Sequence, residues 1–250
     1  MIKNIIKIES CPSTNIYLKE LAEKESPEEG TVVISSEQTS GRGQAGNSWE
    51  SEAEKNITCS ILLQPGFLPL NQFFLLSEVI SLGIKDTLNK YTDAVSIKWP
   101  NDIYYQDKKI CGILIENELM EQRFSRSIVG IGLNINQTEF ISDAPNPTSL
   151  KQITGKEFDL EDLLIEMLNN CFFWYEKLRR NQTSEIEEAY FKALYRNDGV
   201  YFFKDSAGVF EAKIAKVGAN GILHLLTKDN EIREYAFKEV KFAISVEDLS

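Results

Sequence analysis

AVSIKWPNDIYYQDKKICGILIENELMEQRFSRSIVGIGLNIN, residues 94–136, carries the reading of the fold. It divides into AVSIKW, IYY, KICGILIENEL and SIVGIGLNIN, each a short apolar or alternating run, with the turn-forming pieces PND and QDKK between the first three. This predicts a meander of antiparallel strands. Working outward, TVVISS (31–36) and NITCSILLQ (56–64) read as two further strands, joined by a polar, glycine-bearing stretch with no period. Residues 13–24 predict a short helix with Ser13 or Thr14 near its N-cap and Tyr17, Leu18 and Leu21 on one side. A helix from about 70 to 90, carrying Phe73, Phe74, Leu76, Ile80, Ile84 and Leu88, is too apolar for a surface position and is expected to be central. The Pro-rich connector DAPNPTSL (143–150) leads to a helix opening at Asp159, and Ser184 with Glu187 reads as a capping box for another. Both helices are expected to pack on the sheet, giving an α+β chain.

After Asn197-Asp198-Gly199 the pattern changes to five short runs, VYFF, GVFEAKIAKV, GILHLLT, EIREYAF and KFAIS, which have the spacing of a small closed barrel. A boundary near 197 therefore predicts two domains, 1–197 and 198–250.

Composition removes several functions. The 250 residues hold 27 basic and 38 acidic side chains, a formal charge of −11, which disfavours a phosphate backbone or an anionic membrane as partner. No run approaches the 18 or more apolar residues of a membrane helix, so a cytoplasmic protein is expected. Cys11, Cys59, Cys111 and Cys171 are scattered, which suits buried thiols in a reducing compartment better than disulfides or zinc. His224, the single histidine, sits on a predicted strand, so histidine-dependent nucleophilic triads have no ready base. Chemistry must rest on Lys, Arg, carboxylates, amides or a bound metal ion.

Four segments carry candidate chemistry. Gly41-Arg42-Gly43-Gln44-Ala45-Gly46 has the letters of a dinucleotide-binding loop, but the NSWESEAEK after it offers no helix face, so that reading fails. Arg42 between glycines and Trp49 on a polar segment point instead to an anion-binding lid. Lys98-Trp99-Pro100-Asn101-Asp102 is turn chemistry in its own right, yet it also presents a cation, an indole, an amide and a carboxylate within five residues. In Lys108 to Glu116, strict alternation puts Lys109, Cys111, Ile113 and Ile115 on one side; two lysines at a turn are a solvated tip unless that side faces a cavity. The glycines of Gly130-Ile131-Gly132-Leu133-Asn134-Ile135-Asn136 mark either a bulge or a close approach of backbone or ligand.

Taken in order, Ser13-Thr14-Asn15, Gln38 through Trp49, Lys98 through Asp102, Lys109 through Glu116 and Gly130 through Asn136 resemble the motifs of the biotin protein ligases (biotin--[acetyl-CoA-carboxylase] ligases) at similar separations. The resemblance implies a mixed, mainly antiparallel sheet of the class II synthetase type with flanking helices and an SH3-like C-terminal barrel. It implies ATP-dependent activation of biotin to biotinyl-5′-AMP, with Mg²⁺ arriving on ATP, and transfer of biotin to a lysine of a biotin carboxyl carrier domain. Carried over residue by residue, it makes Lys109 and Arg42 catalytic. It places Ser13, Thr14, Asn15, Gln38, Arg42, Gly43, Gln44, Trp49, Lys109 and Gly112 around biotin. Arg42, Lys98, Asn101, Asp102 and Asn134 then face the nucleotide, with Asp102 as a candidate metal ligand. The loop 37–50 is expected to order on ligand binding. Family members carry arginines where Gln44 and Asn47 stand, so this loop is less positive than theirs. No helix-turn-helix precedes Ser13, which implies the monofunctional form with no nucleic-acid partner. The IENEL and RFSRSIVG strands offer an edge for a homodimer. A lipoate ligase is a rival reading, but its R-R-x-x-G-G-G motif is absent; a non-catalytic biotin-binding protein is the other.

Overall fold

The computed structural model describes residues 2–142 and 146–243. Its larger sheet has seven strands: β1 (Asn4–Cys11), β2 (Thr31–Gln38), β3 (Ile57–Leu63), β4 (Val95–Lys98), β5 (Asp102–Tyr105), β6 (Lys108–Met120) and β7 (Arg123–Leu133), in the order β1-β2-β3-β7-β6-β5-β4. Every pairing is antiparallel except β1 with β2, which are joined through helix α1 (Thr14–Lys24). The expected meander is therefore β4 to β7, and β3, buried along its whole length, lies against β7.

Strand β1 is absent from the sequence-based expectation. Lys7 and Glu9 interrupt its isoleucines and make the segment look weakly apolar, but the interruption is the alternation of an edge strand with one solvated side. Tyr17, expected on the apolar side of α1, is instead exposed: the face turned inward is Thr14, Asn15, Leu18 and Ala22.

Helix α2 (Leu75–Leu88) is central, as its composition demands, with all but two of its positions buried. It starts later than expected, after a single 3-10 turn at Leu70–Gln72 that leaves Phe73 exposed. Gly83 lets it cross α4 (Leu160–Arg179) closely, since a Cβ there would lie 2.5 Å from the Cα of Cys171. Asp159 caps α4 by accepting from the Glu161 and Asp162 amides. The capping box expected at Ser184 does not form: α5 (Thr183–Ala193) begins one residue earlier, and Gln182 at its cap makes no side-chain bond. A short helix, α3 (Leu150–Thr154), follows the connector, whose residues 143–145 lie outside the described residues.

The C-terminal runs form a second sheet, β8 (Tyr201–Asp205), β9 (Gly208–Val217), β10 (Leu223–Thr227), β11 (Ile232–Tyr235) and β12 (Lys241–Phe242), ordered β11-β10-β9-β8-β12 and antiparallel throughout. It shares one apolar core with the first sheet. Phe203, Ile214, Leu223 and Phe242 join the cluster that holds Trp99, Tyr190 and Tyr195, and the Trp99 indole donates to the Gly221 carbonyl at 3.0 Å.

Of the expected dimer edge, IENEL pairs with β7 on one side but extends past β5, which pairs with β6 only along Lys108–Gly112; β7 is flanked by β3 from Ser127 onward and by β6 along its length.

Glu78 on α2 is 1% exposed, and its Oε2 has no partner among the described residues. Burial, reinforced by Glu187, raises its pKa from 4.5 to about 9. A carboxyl whose folded pKa is raised takes up a proton on folding, so its stabilising contribution is complete below pH 4.5 and is lost as pH climbs towards 9. Between those limits it costs about 1.4 kcal/mol per pH unit. Glu78→Gln is accordingly expected to gain stability over the parent as pH rises from 5.5 to 8.5. Denaturant melts at both pH values check this, and parallel profiles for the two proteins would refute it.

Candidate active site

The site is built on the β6–β7 hairpin. Gly112 and Gly132 face each other across it, and Leu114 faces Gly130. Strand glycines of this kind mark either a bulge or a close approach, and here the approach is what is seen. The Trp49 indole rests on the first pair: a Cβ on Gly132 would stand 2.3 Å from Trp49 Cε2, and one on Gly112 would stand 3.0 Å from Cζ3. Asn15 rests on Gly130, where a Cβ would come within 2.4 Å of Asn15 Oδ1.

Trp49 arrives on the 37–55 loop, which folds back over the sheet. Its amide donates to the Gly41 carbonyl at 2.9 Å, Gly43 N donates to Asn47 O at 2.7 Å, and Arg42 bridges to Ser48. The only helical piece is a single 3-10 turn at Gln44–Gly46, closed by Gly46 at a φ of +89°. No α-helix opens on the glycines, in line with the rejection of a dinucleotide turn.

Lys109 reaches the same floor by a route that strict alternation does not give. The β5–β6 register slips between Ile103, opposite Cys111, and Tyr104, opposite Lys109, leaving Ile110 as an extra residue. Lys109 and Gly112 consequently line the cavity together, whereas Cys111, expected on the same side as Lys109, is fully buried and its thiol pKa is raised by burial. Lys109 Nζ lies 2.7 Å from Asp102 Oδ1 and 5.6 Å from the centre of the Trp49 ring.

At the head of α1 the polar side chains are tied to one another. Gln38 Oε1 accepts from Thr14 N at 2.8 Å. Ser60 Oγ, within 2.6 Å of Asn15 Oδ1 and 2.7 Å of Thr14 Oγ1, links those two. Asn15 Nδ2 donates to Glu116 Oε2 at 2.8 Å, and Glu116 Oε1 accepts from Arg42 Nη2 at 3.1 Å.

Thr14, Asn15, Gln38, Arg42, Trp49, Asp102, Lys109 and the three strand glycines border one cavity of about 910 Å³, while Ser60 and Glu116 hold some of these side chains from outside its lining. Of the site residues named from the sequence, Ser13, Thr14, Asn15, Gln38, Arg42, Gly43, Gln44, Trp49, Lys98, Asn101, Asp102, Lys109 and Gly112 line it. Asn134 does not. It is buried at the end of β7, where its Nδ2 donates to Thr148 O and its backbone holds Ile110 and Leu150, so its work is to pin the chain beside Lys109. Asn101 lines the cavity, but its amide nitrogen is already committed to the Ile113 carbonyl. Lys98 Nζ donates to the Tyr104 hydroxyl at 3.0 Å, and that phenol's pKa is raised, by burial first and Asp102 second.

Two groups of site residues escape the sequence reading. Ser60 stands out only as a hydroxyl in an apolar strand. Phe237, Lys238, Val240, Lys241 and Phe242 come from the second sheet and its approach, and they close one wall of the cavity; no short-range signal connects them to residues near 100.

Electrostatically the cavity opposes the rest of the molecule. Among its described lining residues, Arg42, Lys98, Lys109, Lys238 and Lys241 face one carboxylate, Asp102, in a chain of net charge −11. It suits a polyanion with an apolar portion under the indole. Gln44 Oε1 and Trp49 Nε1 are buried with no partner among the described residues, and buried polar atoms of that kind favour a ligand that completes them. His224 lies elsewhere, against Glu234 on the second sheet. No described helix is long and apolar enough to cross a membrane.

Comparison with known proteins agrees with this geometry. The model of the biotin/lipoate A/B protein ligase family matches residues 8–134. The bifunctional ligase/repressor BirA of Bacillus subtilis is 36% identical over 181 residues, 69% of this chain and 53% of its own length. The biotin--[acetyl-CoA-carboxylase] ligase of Mycobacterium tuberculosis is 32% identical over 142 residues, 55% of this chain and 51% of its own. The chain thus spans about half the length of the curated relatives it matches. Among solved structures, the biotin protein ligase from Aquifex aeolicus in complex with biotin and ATP superposes with a TM-score of 0.78 at 28% identity, covering 96% of this chain and all of that one. With the family model covering half of its residues, on the segments that build the cavity, the chain belongs to the biotin/lipoate A/B protein ligase family.

Proposed function

We propose that the chain activates biotin with ATP and passes it, from biotinyl-5′-AMP, to a lysine of the carrier domain of a biotin-dependent carboxylase. The observation that carries this reading is the convergence of Arg42 and Lys109 on one cavity, with Lys109 against the Trp49 indole. In the first step a biotin carboxylate oxygen attacks the α-phosphorus, and the bond to the departing pyrophosphate breaks. Two anions must meet, so fixed cations and alignment matter more than proton transfer. A site with five basic side chains and no histidine answers that requirement.

In this reading Lys109 and Arg42 neutralise the carboxylate and α-phosphate as they approach. Ser13, Thr14, Asn15 and Gln38 complete the polar edge of the bicyclic ring, where each unmet buried partner would cost about 1–3 kcal/mol. Trp49 covers the apolar side and shields the mixed anhydride from water. The nucleotide extends past Lys98, Asn101 and Asp102 towards the wall formed by 237–242. Asp102, a partly exposed carboxylate among cations, suits a Mg²⁺ that keeps most of its ligands as water and phosphate; the ion would supply charge neutralisation at the triphosphate.

Several finer features belong to the same proposal. They are a boundary near 197, closure of the second sheet into an SH3-like barrel, a cytoplasmic location without nucleic-acid partners, and association of two copies along the uncovered end of β6.

The test is to incubate the protein with ATP, Mg²⁺ and biotin and to follow pyrophosphate, then to add a carrier domain and look for a mass gain on one lysine. Pyrophosphate release with biotin, and none with lipoate, is the expected result. Turnover with lipoate alone would reassign the substrate, and biotin binding without turnover would make the chain a binding module.

A further inference from the structure

We propose that Glu116 is a positioning residue for the adenylate, holding the lid arginine in place from the same carboxylate that anchors the ring subsite. The inference rests on the function proposed above. Glu116 lies in the part of β6 that pairs with β7, opposite Ile128, so its backbone is fixed by the sheet. Its two oxygens serve different elements: Oε2 accepts from Asn15 at the head of α1, and Oε1 accepts from Arg42 on the lid loop.

The two arms are unequally supported. Asn15 is also held by Ser60 Oγ at 2.6 Å and by the Leu114 carbonyl at 3.3 Å. The Arg42 side chain is 46% exposed and has no hydrogen-bond partner other than Glu116 among the described residues. A long guanidinium side chain left loose loses rotamer freedom when it must grip an anion. One N–H committed to Glu116 removes part of that freedom in advance and leaves the other donors of the fork for the ligand. The pair is partly exposed, at 46% and 35%, and such pairs add only about 0–1 kcal/mol to folding, so its effect is to be read in ligand release rather than in stability.

The arms can be separated with Glu116→Gln. The amide keeps an oxygen for Asn15, but it turns an N–H towards the guanidinium and replaces attraction with repulsion. Biotin affinity by calorimetry is expected to stay within about threefold of the parent, because Asn15 keeps its acceptor. Release of preformed biotinyl-5′-AMP, followed in a chase with unlabelled biotin and ATP, is expected to quicken about tenfold, the size of a charge-assisted contact. In an Arg42→Ala background the same substitution should add nothing, because both changes remove one interaction. Glu116→Ala, which strips both arms, should weaken biotin as well, and the Gln variant should restore that loss alone. Parent-like adenylate release by Glu116→Gln, or effects that sum fully with Arg42→Ala, would overturn the inference while leaving the function intact. A parent protein that forms no adenylate from biotin and ATP would overturn both.

Discussion

Replacing Lys109 with methionine should lower the rate of pyrophosphate release by about two to three orders of magnitude, the usual loss when one fixed charge-stabilising donor is removed from an active site. Methionine keeps the length of the stem, so the change is close to a subtraction of charge. In the proposed reaction the ammonium neutralises the meeting of carboxylate and α-phosphate directly, and no proton relay stands behind it to compensate. The substitution also strands Asp102, whose carboxylate is 21% exposed and loses its 2.7 Å partner. Leaving such a group unpaired costs about 1–3 kcal/mol, so activity and stability fall together in the single variant. The double variant Lys109→Met/Asp102→Asn separates them: the neutral amide should recover the melting temperature and leave the rate depressed. Single-turnover kinetics beside thermal melts make the comparison. A single variant within tenfold of the parent would remove Lys109 from the chemistry.

The second large effect is steric. Gly132→Val puts a Cβ where Trp49 Cε2 is 2.3 Å away, with two methyl groups beyond it. The backbone of β7 tolerates valine, because Gly132 is not among the glycines with positive φ and β-branched residues favour strands. The indole therefore has to leave, taking with it the cover on the cavity. Overpacking of this kind costs about 1–3 kcal/mol, which corresponds to roughly a 5- to 150-fold loss of biotin affinity. Gly112→Ala, meeting the same ring at 3.0 Å, should lose much less. Calorimetric titration with biotin and the fluorescence of Trp49 read the two consequences separately. Unchanged affinity in Gly132→Val would mean that Trp49 does not cover the ligand.

How much of this was legible in the sequence follows from how far each signal reaches along the chain. The glycine loop, the turn at Pro100 and the strand after Lys109 are local, and each brings most of its chemistry within about a dozen residues; of the fourteen residues named from them, from Ser13–Asn15 and from Gly130–Asn136, thirteen border one cavity. The exception, Asn134, carries the same motif signal, yet its side chain turns inward to hold the Thr148 carbonyl. Alternation failed at Lys109 because one bulged residue, Ile110, inverts the faces, and single-residue insertions leave no periodic trace. Strand β1 was missed because an edge strand hides only one side, so its apolar count resembles that of a loop. The residues at 237–242 were out of reach altogether, being brought to the cavity by the packing of one sheet against another.

That last packing bears on any attempt to shorten or splice this chain. A truncation at Asn197 would leave the faces of Trp99 and Tyr195 bare to water and strip Phe237 and Phe242 from the cavity wall. Exchanging the final fifty residues with those of a relative would change the lining of the pocket along with the tail. For protein engineers, then, the small sheet is part of the cavity's mouth and not a removable handle.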